Sequence, residues 1–457
     1  MATLMQRAAR RIPPGPRGRW LTGSARDLLS DPLRLYSKAR REYGDFVRFR
    51  ALPGMYWYLL CHPDDIEHVL QKNQNNFKKM PAVRRAIGTL VGQGLFTSEG
   101  SFWLRQRRLA QPAYSRKQLT TFGSVMSAAA QGMVERCAEH ARTGRPVDIA
   151  AEMVRVTLGI VGQTLLSTDI SGHADVVGEA VRDALDHVGY RLNHPFALPV
   201  GVPTARNRRF LRARATLDKI VYGLIEQRRR APGPVNDLLG MFLAARDEET
   251  GEAMSDSQLR DEVMTTILAG HETTAAALSW SWYLLASHRD AEGKLHAELA
   301  RVLGGRTPAA DDAPNLPYTR MVFEETLRLY PPAWAFPRQT IAEDEIGGYP
   351  IPGGSLLILC PHITQRHPDF WEDPERFDPG RFSSERAAGR PKFAYFPFGG
   401  GARQCIGNHF AILEGQLILA TIAQHYSMQL VPGHVVEPDT TFTLRPRHGV
   451  LVTLNKR

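Results

Sequence analysis

The clearest candidate for chemistry is one cysteine that follows a glycine-rich run near the C-terminal end of the chain. The stretch from Phe398 to Gly407 reads FGGGARQCIG, with Cys405 as its thiol. An apolar segment with helical periodicity comes next, so Cys405 precedes the first turn of a helix. Backbone N–H groups and the helix dipole favour thiolate at such a position, and thiolate is the form that ligates metals. Cys405 is therefore a candidate metal ligand, and a buried structural cysteine after a surface turn is the alternative.

A carboxylate and a hydroxyl lie side by side inside a second, largely apolar segment. Its pattern predicts a long buried helix from about Asp261 to Ala286, roughly 40 Å in length. Its middle contains Gly270, Glu272 and Thr273 within the string AGHETT. Polar groups inside an apolar helix are costly unless they are used or satisfied. Either the threonine bonds back to the helix carbonyls and the glutamate is paired elsewhere, or the two form an acid–alcohol pair that moves protons.

Two further pairs have the spacing that places both side chains on one helix face. Trp103 and Arg107 are four residues apart, and Glu325 and Arg328 are three apart. An indole N–H and a guanidinium can together hydrogen-bond one anionic group, but a surface Trp–Arg stack has the same spacing. A surface Glu–Arg pair is common and contributes little stability. Spacing alone does not decide between these interpretations.

The four segments together resemble the cytochrome P450 family, in family order and over essentially the whole chain. The cysteine loop fills every fixed position of the haem-binding motif F-x-x-G-x-R-x-C-x-G, and the helical string is similar to the oxygen-binding motif A/G-G-x-D/E-T. The two pairs resemble W-x-x-x-R and E-x-x-R. The resemblance implies a mainly α protein with small β-sheets (α+β), the cytochrome P450 fold, with haem b between the long central helix and the cysteine loop.

The resemblance also assigns roles to individual residues. Cys405 becomes the axial thiolate of the haem iron, which favours O–O cleavage. Thr273 is expected to hydrogen-bond dioxygen, and Glu272 is expected to relay protons. The other positions are the cofactor-binding residues Trp103, Arg107, Ala269, Gly270, Arg338, Phe398, Gly399, Arg403 and Gly407; a structural lock of Glu325, Arg328 and Arg381, with Arg376 as the alternative third member; and the pocket residues Trp334, Phe336 and Phe442.

Outside these motifs the pattern predicts a β-rich lobe, mainly over residues 31–80 and 338–365. A helix from Pro32 to Tyr43 precedes strand-like runs at 46–49 and 55–60. Several glycines indicate a loop over residues 81–100. Residues 1–19 form a basic, proline-rich segment. Residues 20–457 are expected to be a single haem domain, because no low-complexity linker or repeat divides them.

Composition narrows the functional class and the compartment. The 457 residues carry a formal net charge of +10, are 43% hydrophobic and include four cysteines without a C-x-x-C pair. Such cysteines argue against a zinc site or a disulfide framework and favour a reducing compartment. The sequence contains no 18-residue apolar run, signal-peptide core or nucleic-acid motif. We expect a cytoplasmic monomer, at most peripheral to a membrane; a transit peptide at the arginine-rich start is the alternative.

The activity that the resemblance implies is that of a haem-thiolate monooxygenase acting on a hydrophobic substrate. Fatty acids, terpenoids or carotenoids, and steroid-like molecules remain open, with Arg84 or Arg85 as a carboxylate anchor for the first. The length leaves no room for a fused flavin domain, so a separate ferredoxin or flavodoxin with its NAD(P)H-dependent reductase is expected to deliver electrons. We expect it to dock on a basic face formed by Arg105, Arg108, Arg116, Lys117, Arg381, Arg390, Lys392, Arg403 and His409.

Two other functions remain open at this stage. A peroxygenase or haem isomerase with the same fold would not need the acid–alcohol pair that Glu272 and Thr273 offer. A haem-based sensor or carrier would need an output domain, for which the sequence has no candidate. The arginine-rich helix after residue 203 is interpreted as a solvated basic face, with contact to a membrane surface as the alternative.

Overall fold

A computed structural model describes residues 11–52, 54–166, 174–194, 197–230 and 237–457. Residues 1–10 of the basic N-terminal segment lie outside the described part of the chain. The α-helices, numbered along the chain, are α1 Ala25–Ser30, α2 Pro32–Tyr43, α3 Pro63–Glu67, α4 Pro81–Val91, α5 Gly100–Ala110, α6 Arg116–Thr143, α7 Ile149–Leu166, α8 Ala174–Asn193, α9 Ala205–Arg230, α10 Leu238–Ala244, α11 Asp256–Ser287, α12 Arg289–Leu303, α13 Pro317–Leu329, α14 Pro361–Thr364, α15 Ser384–Ala387 and α16 Asn408–His425.

The strands are short and belong to small sheets, as the sequence predicts. They are β1 Phe46–Leu52, β2 Met55–Leu60, β3 Phe77–Lys79, β4 Val147–Asp148, β5 Phe336–Thr340, β6 Asp344–Ile346, β7 Tyr349–Ile351, β8 Leu356–Leu359, β9 Tyr426–Leu430, β10 Pro438–Asp439, β11 Arg445–Pro446 and β12 Leu451–Lys456. The largest sheet has five strands in the order β1-β2-β8-β5-β3, and a three-stranded sheet has the order β4-β12-β9.

The chain divides into two compact units. The first comprises Met1–Pro81, Ala333–Arg376 and Ala388–Cys405, and the second comprises Ala82–Pro332, Phe377–Ala387 and Ile406–Arg457. The first contains the five-stranded sheet, and the second contains most of the helices. The single haem domain over residues 20–457 stays a prediction.

The sheet of the first unit is covered on both faces because its side chains alternate between two cores. Phe46, Tyr58 and Leu60 point into one apolar cluster, and Phe49 and Trp57 point into the other. The register that pairs Phe46 with Leu60 places these residues on matching faces. The strand predictions for β1 and β2 are therefore confirmed.

The prediction of a loop over residues 81–100 is wrong for its first half, where α4 forms. Pro81 suits the first turn of a helix, and Ile87 and Leu90 are buried on one face of α4. Gly88 lies inside this helix on an open side, where a Cβ would meet no atom within 4 Å. The turn comes only at Gly92, whose φ of +59° favours glycine.

Helix α11 is the core of the second unit and packs against α7, α9, α13 and α16. It is buried over most of its 32 residues, as its apolar pattern predicts. It begins five residues before the predicted start, because Ser255, which precedes Asp256, forms a capping box with Gln258 in the first turn.

Candidate active site

Cys405 lies at the end of a loop in the first unit. Its backbone N–H donates a hydrogen bond to the carbonyl oxygen of Phe398, 3.0 Å away, which closes the loop. A single 3-10 turn, Gly401–Arg403, brings the chain to Cys405, and α16 begins three residues later at Asn408. The thiol therefore stands just ahead of a helix start, the position that the sequence predicts.

Cys405 differs from the other cysteines in being exposed. Burial raises the pKa of the Cys137 thiol to about 11 and that of the Cys360 thiol to about 12. The pKa of Cys61 is also raised well above its usual value by burial. These three are thiols at neutral pH, so Cys405 is the cysteine with the accessibility that a ligand requires.

Glycines allow the cysteine loop to pack against its own unit. A Cβ on Gly401 would lie 1.8 Å from the carbonyl oxygen of Leu70, and the φ of Gly401 is +64°. A Cβ on Gly400 would lie 2.4 Å from the Phe393 ring. The N–H of the next residue, Ala402, donates to the Gln74 side chain at 2.9 Å. Side chains are therefore excluded on the inner side of the loop.

In the second unit, four residues of α11 form an accessible stripe in a helix that is otherwise buried. Thr266, Ala269, Gly270 and Thr273 have the spacing of one helix face, and Ala269 is exposed. From Glu262 to Trp282, a range that the structure describes throughout, the other side chains are buried. The stripe therefore offers a small, mostly apolar surface with one hydroxyl.

Thr273 and Glu272 are satisfied in different ways. The Thr273 hydroxyl donates to the Ala269 carbonyl at 2.7 Å, so the threonine bonds back to its own helix, as one of the two interpretations predicts. Its oxygen can still accept a hydrogen bond on the accessible stripe. Glu272 is buried, and its Oε1 accepts a hydrogen bond from the Thr443 hydroxyl at 2.9 Å. The acid and the alcohol are therefore neighbours with separate partners.

An arginine from the C-terminal segment also approaches Glu272. Arg445 Nη1 lies 3.5 Å from Glu272 Oε1, and Arg445 Nε lies 3.3 Å from Asp439 Oδ2. Burial opposes the charge of Arg445, but the two carboxylates outweigh it and raise the pKa of the guanidinium. The sequence did not reveal this contact, since more than 170 residues separate its partners.

The remaining cofactor candidates are distributed over the two units. Trp103 and Arg107 share one face of α5, where Trp103 is 9% exposed. Arg338 belongs to β5 in the first unit, and its Nη1 donates to the Pro337 carbonyl at 3.0 Å. Gly270 faces α7, because a Cβ there would lie 3.0 Å from a methyl group of Val161.

Glu325 and Arg328 form a fully buried ion pair, unlike a surface pair of the same spacing. Arg328 Nε lies 2.6 Å and Nη2 lies 2.8 Å from the two carboxylate oxygens of Glu325. Arg381 Nε lies 3.5 Å from Glu325 Oε1 and its side chain is 4% exposed. Burial lowers the pKa of Arg381, which the negative charge of Glu325 opposes. Arg376, the alternative third member, is exposed.

The predicted pocket residues differ in their surroundings. The Phe336 ring lies 3.8 Å from the position of a Cβ on Gly399, so it flanks the cysteine loop. Trp334 packs against an apolar core cluster of the first unit. Phe442 is half-buried in the C-terminal segment of the second unit. Of the possible carboxylate anchors, Arg84 donates to the Thr97 carbonyl at 2.7 Å.

The predicted basic docking face loses several of its members. Arg381 is buried beside Glu325. Arg108 pairs with Asp247 and Glu249, and Arg105 lies 3.4 Å from Glu252. These cations are partly neutralised by nearby acids, which weakens their attraction for an acidic partner. In the second unit the exposed members that remain are Arg116, Lys117 and His409.

A buried carboxyl on α16 was missed by the sequence reasoning. Glu414 is fully buried, and burial raises its pKa to about 8, which the Thr274 hydroxyl opposes. Glu414 is therefore mostly neutral at pH 7 and retains its proton. The signal in the sequence was a lone acid in the apolar run ILEGQLIL. Thr274, the residue that acts on Glu414, directly follows Thr273 in α11.

We expect replacement Glu414→Gln to remove a pH dependence of stability. The carboxyl has a pKa of about 8 in the folded chain and an ordinary pKa of about 4.3 when unfolded. Its stabilising contribution is present below the unfolded pKa and is lost as pH rises to the folded pKa, by at most about 5 kcal/mol. The difference in urea midpoint between the variant and the parent should therefore grow in favour of the variant as the pH is raised from 5.5 to 8. Parallel curves would show that Glu414 titrates normally.

The residues present fit a thiolate-bound haem. The donor set contains one accessible cysteine on a loop whose glycines keep side chains away. A separate helix offers a small-residue stripe with a hydroxyl and an adjacent buried acid. Cys405 would hold the haem iron, and Trp103, Arg107 and Arg338 would hydrogen-bond the anionic groups of the haem.

Comparisons with known proteins agree with this fit. The family model "Cytochrome P450" matches residues 13–453. Cyclooctatin synthase from Streptomyces melanosporofaciens is 38% identical over 97% of this chain and 96% of its own length. Pentalenene oxygenase from Streptomyces avermitilis is 34% identical over 93% of each. Cyclooctat-9-en-7-ol 5-monooxygenase from Streptomyces melanosporofaciens is 36% identical over 92% of each.

Solved structures show the same similarity in three dimensions. The crystal structure of the cytochrome P450DA heme domain matches with a TM-score of 0.89 and 27% identity, over 98% of both chains. Retinoic acid-bound cyanobacterial CYP120A1 matches with a TM-score of 0.86 and 27% identity, over 98% of this chain and all of the other. The predicted fold class is confirmed. The chain belongs to the cytochrome P450 family and is a monooxygenase whose cofactor is haem b.

Proposed function

We propose that this monooxygenase hydroxylates a neutral, cyclic terpenoid. The observation that carries the proposal is the hydrogen bond from Arg84 Nε to the Thr97 carbonyl. This bond restrains the Arg84 side chain and weakens the argument for Arg84 as a carboxylate anchor, while Arg85, the other candidate anchor, is exposed on α4. The names of three relatives, cyclooctatin synthase, cyclooctat-9-en-7-ol 5-monooxygenase and pentalenene oxygenase, support oxidation of cyclic terpenoids.

The proposed reaction gives each residue of the candidate site a separate role. Cys405 ligates the iron, and haem supplies the activation of dioxygen when it is bound. Glu272 relays protons, and the Thr273 hydroxyl passes them to the accessible stripe of α11. Thr443 and Arg445 keep the Glu272 carboxylate oriented in a buried site. One oxygen atom enters the substrate, and two electrons and two protons reduce the other to water.

We assign electron delivery to a separate acidic ferredoxin or flavodoxin, reduced through an NAD(P)H-dependent reductase. On the second unit, Arg116 and Lys117 are exposed, and loss of hydration together with the positive charges of Arg116 and Arg320 lowers the pKa of the neighbouring His409. Arg116 and Lys117 are therefore the cations offered to one partner, because the lowered pKa leaves His409 mostly neutral at pH 7. Higher ionic strength should slow electron transfer, and an unchanged rate would contradict this docking site. A reducing cytoplasm suits the four thiols.

The substrate is tested by optical titration of the ferric holoprotein. We expect a saturable low-spin to high-spin shift with cyclic diterpene or sesquiterpene hydrocarbons and alcohols. Long-chain fatty acids should give little shift, and replacement Arg84→Leu should not change that response. A shift with fatty acids alone that Arg84→Leu abolishes would overturn the terpenoid proposal and restore Arg84 as an anchor.

The same terpenoid then tests the acid–alcohol roles in turnover. Replacement Thr273→Ala should lower the product formed per NAD(P)H consumed by at least about tenfold, with peroxide released instead. Thr266→Ala, on the same face of α11, is the matched control and should keep the parent ratio. If Thr273→Ala stays fully coupled, proton delivery does not use this hydroxyl.

A further inference from the structure

A cluster of exposed apolar side chains in the first unit lies outside the proposed function. Trp20 is 82% exposed, Leu21 61%, Leu29 53% and Met55 57%. Tyr56 is 39% exposed. These five residues are defined as the N-terminal apolar patch. Single exposed apolar residues are ordinary, but a group that includes a nearly bare tryptophan marks an interaction surface.

Backbone contacts bring the patch together at one end of the β1–β2 hairpin. Arg50 on β1 pairs with Tyr56 on β2, and its guanidinium donates to the carbonyls of Arg19 and Trp20 at 2.7 and 3.1 Å. The Ser24 N–H donates to the Arg50 carbonyl at 2.8 Å. The turn that carries Trp20 and Leu21 is therefore fixed beside Met55 and Tyr56.

The next helix extends the same surface. Leu29 shares a shallow surface depression with Thr22 and Arg26, and none of the residues in α1 is buried. Leu28 packs partly against an apolar core cluster, whereas Arg26, Asp27, Leu29 and Ser30 are exposed, so most of this helix gains little from packing. The patch therefore continues from the hairpin end along α1.

The charge around the patch is strongly basic. Residues 11–30 contain four arginines and one acid, Asp27. Arg17, Arg19 and Arg26 are exposed beside the apolar side chains. Tryptophan and tyrosine favour the interface between lipid and water, and arginines near an anionic membrane surface are attracted to it. By contrast, α9, the alternative membrane element, pairs Arg214, Arg228 and Arg229 with acids.

We propose that the N-terminal apolar patch and its arginines bind the surface of an anionic lipid bilayer. No helix in the described residues is long and apolar enough to span a membrane, so the contact is peripheral. Trp20, Leu21 and Met55 enter the interface, and Arg17, Arg19 and Arg26 meet lipid phosphates. Apolar insertion and charge attraction act together, as in other interfacial segments.

Co-sedimentation of the holoprotein with vesicles tests the proposal. Vesicles of equal phosphatidylglycerol and phosphatidylcholine should bind the parent at low salt, and pure phosphatidylcholine should bind it at least about tenfold more weakly. The double variants Trp20→Ser with Leu21→Ser, and Arg17→Glu with Arg19→Glu, should each lose about tenfold of the binding to anionic vesicles.

Two matched variants control for exposure and charge. Val435→Ser alters a side chain that is 63% exposed in the second unit, and Arg301→Glu reverses an exposed charge on α12. Both should bind like the parent. The patch variants should keep the parent circular dichroism spectrum and haem content, since the altered side chains are exposed.

Three results would overturn the proposal. One is absence of binding to anionic vesicles at low salt. Another is equal loss of binding in the control and patch variants. The third is a parent that sediments as a dimer without lipid and becomes monomeric on Trp20→Ser with Leu21→Ser, which would assign the patch to a second copy of this chain.

Discussion

Replacement of Glu325 by alanine is expected to lower the free energy of unfolding by about 3–5 kcal/mol. The carboxylate is fully buried, accepts two hydrogen bonds from the equally buried Arg328, and accepts the Asp378 N–H at 2.9 Å. Without it, Arg328 stays buried as an uncompensated charge, and Arg381 loses a nearby anion. Urea denaturation followed by circular dichroism measures the loss.

The control for this variant is an exposed pair with the same sequence spacing. Glu139 and Arg142 are also three residues apart on a helix, with side chains 51% and 72% exposed. Glu139→Ala should leave the urea midpoint nearly unchanged, since water screens and solvates both groups. The further variant Glu325→Leu with Arg328→Leu should recover part of the loss by removing the orphaned charge. Equal midpoints for Glu325→Ala and Glu139→Ala would contradict a buried lock.

The second large effect is expected for Cys405→Ala, which removes the proposed iron ligand. We expect more than about a 100-fold loss of monooxygenase activity, because even residues that only support a metal ligand cost about 10–100-fold when replaced. Cys137→Ala is the matched control: this cysteine is buried, and burial raises its thiol pKa to about 11. Product formation per enzyme, with substrate and redox partner in excess, is the measurement. Retained activity in Cys405→Ala would remove the ligand assignment.

The elements whose signals are local were predictable from the sequence. Helix α2 begins and ends as predicted, since Asp31 caps it by accepting the Arg34 N–H and proline occupies its first position. Strands β1 and β2 follow the alternation of their side chains between two cores. The conformation of the Cys405 loop was predictable from its motif, because a Cβ at Gly401 would clash with the Leu70 carbonyl oxygen and only glycine fits there.

The features that were missed depend on contacts between distant residues. The glycines of residues 81–100 suggested a loop, but burial of Ile87 and Leu90 outweighs the low helix propensity of Gly88. The partners of Glu272 are Thr443 and Arg445, which belong to a segment with no pattern of its own. Tertiary packing decides both cases, so local sequence could not reveal them.

The docking-face prediction failed in part for a related reason. The positions of arginines in the sequence indicate positive charge, but they do not show which acidic residues will pair with those arginines in the folded chain. Arg108 is held by Asp247, which is itself buried, and Arg381 is placed in the interior of the second unit. The lone acid Glu414 is the opposite case, since its neighbours in the sequence are apolar and indicate burial, although no role was predicted for it.

The most direct measurement of the central claim is the absorption spectrum of the reduced, carbon monoxide-bound protein. The parent and Cys137→Ala should both show the red-shifted Soret band of a thiolate-ligated haem. Cys405→Ala should lose that band, while circular dichroism shows that the chain remains folded. A parent that binds haem without the thiolate-type band, or a Cys405→Ala variant that retains it, would contradict the assignment of Cys405 as the iron ligand.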